Sequence, residues 1–93
     1  MIEAFSCKET KKIWKGGRSK KLPGEIQERA FLRLRQLHAA DLLADLRLPP
    51  SNRLESLSGD LKGFWSVRIN QQWRLVFRWN DGTASDVKIT DYH

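Results

Sequence analysis

The chain is poor in the residues that build covalent or metal-held folds. One cysteine, Cys7, and two histidines, His38 and His93, stand in 93 residues, so an internal disulfide is excluded and no Cys or His spacing fits a zinc site. A Gly-rich phosphate loop and a Gly-x-Ser-x-Gly elbow are also missing, and neither a metal nor a nucleotide cofactor is expected. No apolar run reaches the length of a membrane span and no signal peptide opens the chain, which with the single cysteine points to the cytosol. Acidic residues are the minority sign, 11 Asp and Glu against 17 Lys and Arg, for a net charge of +6. An excess of that kind suits a polyanionic partner.

What is present is enough for one core. Four Trp, four Phe and the aliphatic residues supply a single domain, expected over 1–93, near the size at which one hydrophobic core suffices. The last third is the most regular stretch. Strands are predicted over Trp65 to Ile69, Trp73 to Trp79 and Ala84 to Thr90, with turns at Asn70-Gln71-Gln72 and, as the stronger hairpin signal, Asn80-Asp81-Gly82. Their alternation puts Trp65, Val67, Ile69, Trp73, Leu75, Phe77, Trp79, Val87 and Ile89 on one side. Ser66, Arg68, Arg74, Val76, Arg78, Asp86, Lys88, Thr90 and Tyr92 fall on the other. The first side requires a cover, and the second is expected to be an open cationic working surface.

The cover comes from the first half. Ile2 to Phe5 is expected to be a strand that joins the sheet. Ser6 and Glu9 fit a capping box that starts a helix from about Cys7 to Lys15, with Gly16-Gly17 as its exit. Cys7 is expected to be a small buried hydrophobe rather than a nucleophile. Arg18 to Lys21 forms a basic loop, and Pro23 opens a second helix that lasts to about Ala40. Ile26, Ala30, Leu34 and Leu37, widened by Phe31, make its buried stripe, and Glu25, Glu28, Arg29, Arg33 and Arg35 its solvated face. His38 is expected at the surface or as a helix-end cap. Asp41 starts a short turn that holds Leu42, Leu43 and Leu46, Pro49-Pro50 ends it, and an extended segment follows with a short strand over Arg53 to Leu57. The order of strand, two helices and a run of strands predicts an α+β fold of two layers, with helices on one face of a mainly antiparallel sheet.

Proton-transfer groups are then few: Glu55, Asp91, Tyr92 and His93. With Arg53, Arg68, Arg74 and Arg78 as phosphate holders they suit metal-free RNA cleavage. That reaction needs a base for the 2′-hydroxyl, cations for charge building on the phosphate, and an acid for the leaving 5′-oxygen.

The runs Gly63-Phe64-Trp65-Ser66-Val67-Arg68-Ile69 and Gln72-Trp73-Arg74-Leu75, and the closing Asp91-Tyr92-His93, resemble the HigB-type toxins of bacterial toxin-antitoxin systems, within the RelE superfamily. The likeness extends more thinly through Ile2 to Phe5, Asn52-Arg53-Leu54-Glu55 and Leu57-Ser58-Gly59. It implies a microbial-ribonuclease-like fold and ribosome-dependent cleavage of mRNA on the 70S ribosome, leaving a 2′,3′-cyclic phosphate. It also implies neutralisation by a helix-turn-helix antitoxin of the HigA type, through which alone operator DNA is reached. Carried over, the family's catalytic positions fall on Arg74, Asp91, Tyr92 and His93. Glu55 stands where some relatives have histidine and Ser58 where some have lysine, so Glu55 becomes the candidate base and a two-histidine mechanism is not implied. Arg18, Lys20, Lys21, Arg53, Arg68 and Arg78 are the candidate RNA- or ribosome-binding residues.

Two other readings stay open. A toxin of the same fold could block another target, such as DNA gyrase, without cutting, and a noncatalytic module could bind RNA by stacking on Trp. The parity of Trp65, Trp73 and Trp79 speaks against stacking, since it places them on the covered side.

Overall fold

The structure, a computed structural model, describes residues 1–91; Tyr92 and His93 lie outside the described residues. Helices α1 (Lys8–Trp14) and α2 (Gly24–Ala39) precede a sheet of β1 (Glu55–Ser56), β2 (Phe64–Arg68), β3 (Trp73–Asn80) and β4 (Thr83–Asp91). The four strands run antiparallel in the order β1-β2-β3-β4. This is the expected α+β architecture, with two helices packed on one side of an antiparallel sheet. Among the described residues no helix is long and apolar enough to cross a membrane.

The core forms where the two periodicities meet. Ile26, Ala30, Leu34 and Leu37 of α2 are buried against Val67, Ile69, Leu75, Phe77, Val87 and Ile89 of the sheet, with Trp65, Trp73 and Trp79 packed at its margin. Truncating a fully buried residue such as Phe77 to Ala costs about 3–5 kcal/mol in comparable cores. The β3–β4 loop is the two-residue turn its sequence favours, with Asp81 and Gly82 both at positive φ (50° and 76°) as a primed hairpin turn requires. In the β2–β3 turn, Asn70 Oδ1 accepts from the amides of Gln72 and Trp73 at 2.8 and 2.7 Å.

A bulge in β4 alters the expected parity. Arg78 pairs with Ser85 but Val76 pairs with Lys88, so an extra residue is inserted between them, and Asp86 takes it up at φ 49°. Strict alternation would put Ala84 on the side of Asp86 and Lys88. The bulge returns it to the core, where it is completely buried, and turns Ser85 to the side of Arg78.

The outer edge of β4 is closed by the N-terminal segment, though not as a continuous strand. Ile2 and Phe5 make isolated parallel bridges to Ala84 and Val87, because the bulge interrupts the ladder between them. Farther along, the Ile89 amide donates to Thr10 Oγ1 of α1 at 2.9 Å, so the edge is capped instead of left to pair. His38 Nδ1 accepts the Ile2 amide at 3.1 Å while its ring lies 5.1 Å from that of Trp14; the residue ties the first segment to both helices.

Three local expectations are corrected. The Ser6–Glu9 capping box does not form: Cys7 holds the cap position without a side-chain bond, Ser6 Oγ donates to Asp86 O, and Glu9 turns to the α1–α2 loop. The turn after α2 is Leu43–Arg47, fixed by the Asp45 carboxylate accepting the amides of Asp41 and Leu42, and Leu42 is exposed. The segment after Pro49-Pro50 is not extended. Pro50–Asn52 is a 3-10 turn and Arg53 has φ 45°, because buried Asn52 donates its Nδ2 to Leu46 O and Leu48 O; the strand shrinks to Glu55–Ser56.

Glu9 anchors the basic loop. Ser19 Oγ donates to its Oε1 at 2.7 Å and accepts the amides of Lys21 and Leu22, while Gln27 brackets Ser19 from both sides. The Ser19 hydroxyl, opposed by partial burial and helped by Lys12 at 3.3 Å, holds the Glu9 carboxyl below its ordinary value. A lowered folded-state value contributes stability above the unfolded value of about 4.3 that is lost as pH falls through the folded one. Glu9→Gln is therefore expected to lower the urea midpoint near neutrality and to flatten its fall between about pH 5 and pH 3 relative to the parent. Equal slopes for the two proteins would show that Glu9 makes no such contribution.

Candidate active site

The sheet face away from the helices is less open than its alternation suggests. Ser66, Val76 and Arg74 on that face are buried, Arg74 at 7% exposure. The cause is the segment 53–61, which folds over the face: Leu57 and Leu61 share a hollow of about 280 Å³ with Ser66, Val76, Thr90 and Asp91. The expectation of a wholly open surface is corrected to a floor with a partial roof.

Arg74 is the fixed point of that floor. Its Nε donates to Ser66 Oγ at 2.8 Å, and its Nη2 to Arg53 O at 2.6 Å and to Ser66 O at 3.4 Å. Its Nη1 lies 3.5 Å from Glu55 Oε1. The Glu55–Ser66 pairing of β1 with β2 puts Glu55 on the same face, and the αL conformation of Arg53 aims its carbonyl at the guanidinium. A planar fork held at several points is oriented as well as charged. Glu55 has its side chain 48% exposed and, among the described residues, its second oxygen has no partner. A half-exposed carboxylate beside a buried, oriented guanidinium provides a proton acceptor and a fixed positive charge within one hydrogen-bonded unit.

The remaining expected residues divide into two groups. Arg53 and Arg68 line a cleft of about 410 Å³ with Arg74, Asn70 and Gln71. Arg68 stands directly across from Arg74 in the β2–β3 ladder, a like-charge pairing that costs stability unless the side chains diverge or share an anion. They diverge, Arg68 Nε donating to Asn70 O at 3.1 Å. Asp91, paired with Trp73, accepts from Gln72 Nε2 at 3.0 Å and borders the hollow beneath Leu57. Tyr92 and His93 lie outside the described residues.

Arg78 is not brought to this cleft. It is two strand positions beyond Val76, roughly 13 Å along β3 from Arg74 by strand rise, and is engaged by Asp86 at 3.3 Å and by the Phe64 ring at 4.3 Å. Arg18 lines a separate hollow with Gly17, Gln27 and Glu28 of the helical layer, and Lys20 and Lys21 are exposed on the same loop. Two residues assigned to the solvated face of α2 belong instead with the site's surroundings: Arg33 Nε donates to Arg68 O at 2.9 Å and Arg29 Nη1 to Ile69 O at 3.5 Å. Their places five and nine residues after the start of α2 at Gly24 carry no signal of this, since the β2–β3 turn reaches them only in the folded chain. Ser66 was likewise legible only as a small residue on the polar side.

Comparison with known proteins bears on what this arrangement belongs to. A family profile described as RelE-like toxin of type II toxin-antitoxin system HigB matches residues 3–93. The chain belongs to this HigB-like toxin family. It is 48% identical over 67 residues to Toxin HigB-1 of Vibrio cholerae, covering 72% of this chain and 70% of that protein. It is 29% identical over 93 residues to a protein of Proteus vulgaris named Endoribonuclease HigB, with all of both chains covered. Among solved structures the fold matches YafQ from E. coli (TM-score 0.64, 18% identity, 98% of this chain and 91% of that one). It also matches a chain of the YoeB-YefM complex from Staphylococcus aureus (TM-score 0.62, 18% identity, 100% and 98%). At those identities the likeness concerns the fold, and it places this HigB-like toxin among RelE-like structures.

The anchoring of Arg74 yields a direct expectation. Ser66→Ala removes the acceptor of a buried charged N–H, a loss of about 1.5–3 kcal/mol for bonds to charged groups. Urea unfolding of the two proteins measures it; a change within about 0.5 kcal/mol, the range of an ordinary surface substitution, would show that the guanidinium is held without Ser66.

Proposed function

We propose that this HigB-like toxin is a ribosome-dependent, metal-free mRNA endonuclease of the bacterial cytoplasm, silenced by a helix-turn-helix antitoxin of the HigA type. Operator DNA is contacted only through that antitoxin. The observation that carries the reading is Arg74: a buried guanidinium, fixed by Ser66 and Arg53 and paired with Glu55, at the floor of a cationic cleft. The full-length match to a protein named Endoribonuclease HigB supports the reaction class.

In this reading the RNA phosphate enters the cleft of Arg53, Arg68 and Arg74, displacing the weak Glu55 contact in part and gaining the fork of Arg74. Glu55 takes the proton of the 2′-hydroxyl, whose oxygen attacks the adjacent phosphorus. Negative charge on the phosphoryl oxygens is stabilised by Arg74, which needs no reorganisation because its bonds are already made. The bond to the 5′-oxygen breaks, and His93 protonates that oxygen, with Asp91 and Tyr92 as supporting groups of the same terminus. The products are a 2′,3′-cyclic phosphate and a free 5′-hydroxyl. Stabilisation of the phosphate falls to guanidinium groups.

The stacking alternative loses ground to the placement of the indoles. Trp65, Trp73 and Trp79 pack against the core, and Trp14 faces Phe31 and His38, so none is arranged beside the Arg74 cleft as a platform for bases.

Cleavage is expected on translating ribosomes and to be largely absent on naked message, because so small a set of groups relies on the ribosome to hold the RNA in line. Primer extension on both substrates decides it; equal cutting of free message would remove the ribosome from the mechanism.

In single turnover on pre-bound ribosomes, Glu55→Gln is expected to slow cleavage by about 10²- to 10⁴-fold, the range of general-base losses. Arg74→Ala loses about 10²- to 10³-fold by analogy with one oxyanion donor, and Arg74→Lys is only partly restored because Lys lacks the planar fork. Ribosome binding changes less than cleavage in each case. Wild-type rates for Glu55→Gln would return Glu55 to a structural partner of Arg74 and pass the base to Asp91 or Tyr92. Deleting Tyr92 and His93 is expected to abolish growth inhibition while the melting transition stays nearly unchanged; a fully toxic truncation would overturn the role given to both.

A further inference from the structure

The arginines around the β2–β3 turn are arranged as a second anion site beside the Arg74 cleft. Arg29, Arg33, Arg68 and Ser51 border a hollow of about 420 Å³ that includes Asn70 and Gln71, and Arg68, Asn70 and Gln71 also border the Arg74 cleft. The two hollows therefore adjoin, with these residues as their shared wall. Each guanidinium is tethered by one N–H to a main-chain carbonyl of the turn region: Arg29 to Ile69 O, Arg33 to Arg68 O and Arg68 to Asn70 O. A guanidinium has five N–H donors, so most of them are left for another acceptor.

Among the described residues no acid is ion-paired with this cluster. The ion pairs among the described residues are Lys12–Glu9, Arg74–Glu55 and Arg78–Asp86, and none includes Arg29, Arg33 or Arg68. Arg33 is half-buried, and its burial, followed by the charge of Arg29, lowers its pKa from the ordinary arginine value. Holding like charges together in a partly desolvated place costs free energy. Tethering through carbonyls orients the forks without neutralising them, an arrangement that suits a ligand supplying the negative charge itself.

We propose that Arg29, Arg33 and Arg68 form a phosphate-binding subsite that holds an RNA backbone next to the Arg74 cleft, around the β2–β3 turn on the side of α2. The proposal rests on the nuclease reading for the identity of the strand, but its geometry does not depend on Glu55 or on the chain terminus. The phosphates belong to the message or to ribosomal RNA, whose backbone chemistry is the same.

The test measures binding without cleavage. Affinity is followed against salt for two probes, a single-stranded 2′-O-methyl RNA oligonucleotide and vacant 70S ribosomes, for the parent, the double variant R29Q/R33Q and the control R35Q, which changes an exposed charge on the same helix outside the hollow. Each lost phosphate contact lowers the slope of log K against log salt by about 0.7 for a single strand. The double variant is expected to lose about 0.7 to 1.4 from that slope and R35Q to lose none. A loss seen with the oligonucleotide assigns the subsite to the message, and one seen with ribosomes alone assigns it to ribosomal RNA. Unchanged slopes with both probes, or an equal loss for R35Q, would overturn the proposal. Should the double variant lose its melting transition, R29Q alone carries the test, with an expected loss of about 0.7 and the same overturning result. A parent that binds with a steep salt dependence but cuts nothing would overturn the nuclease reading and leave the subsite standing.

Discussion

Everything in this fold follows from covering one face of a twisted antiparallel sheet and not the other. The stripe of Ile26, Ala30, Leu34 and Leu37 has its complement only on the side of Val67, Leu75, Phe77 and Ile89, and a period of two then sends Ser66, Arg68, Arg74 and Arg78 to the opposite side. Apolar burial thus decides where the cations go. The bulge at Asp86 is what lets β4 satisfy this constraint along its whole length, since Ala84 and Val87 both need the core and stand three residues apart.

The same constraint explains what could be read from the sequence. The α2 stripe, the primed turn at Asp81-Gly82, the buried sides of β2 and β3 and the place of Arg74 on the opposite side are local or periodic properties, and periodicity is written in the chain. The main failures lie in contacts with other segments. Glu9 leaves its own helix start for Ser19, ten residues away. Asn52 bends a stretch that prolines and polar residues suggested would be extended. Leu57 and Leu61 roof part of a face whose strand pattern gives no hint of a roof. Arg29 and Arg33 look like any solvated helix face until the β2–β3 turn comes to lie beside them. Arg78 shows the converse, a cation of the right parity that is engaged at the far end of the sheet.

Polar groups in the interior are used here as joints. Ser19 with Gln27, Thr10 with the Ile89 amide, and Asn52 with two carbonyls each fasten one segment to another at little exposed surface. Buried donors left unpaired are costly, so each joint admits few geometries. Arg74 belongs to the same class: its bonds to Ser66 and Arg53 tie β3 to β2 and to the segment before β1. Its orientation is inherited from the fold and does not depend on a ligand's arrival.

The pairing of Ile2 with Ala84 and of Phe5 with Val87 bears on how the protein comes into being. Contacts between such distant parts of a chain form late, because the intervening loop must be closed first. A nascent chain can wind α1 and α2 early, yet the stripe of α2 that meets the sheet has nothing to rest on until β3 and β4 have left the exit tunnel. The segment of Ile2 and Phe5 then waits for β4 to be held in place, so assembly of the site is postponed until synthesis of the sheet is over. For a protein whose family is toxic, this order of assembly separates the making of the chain from the onset of its activity.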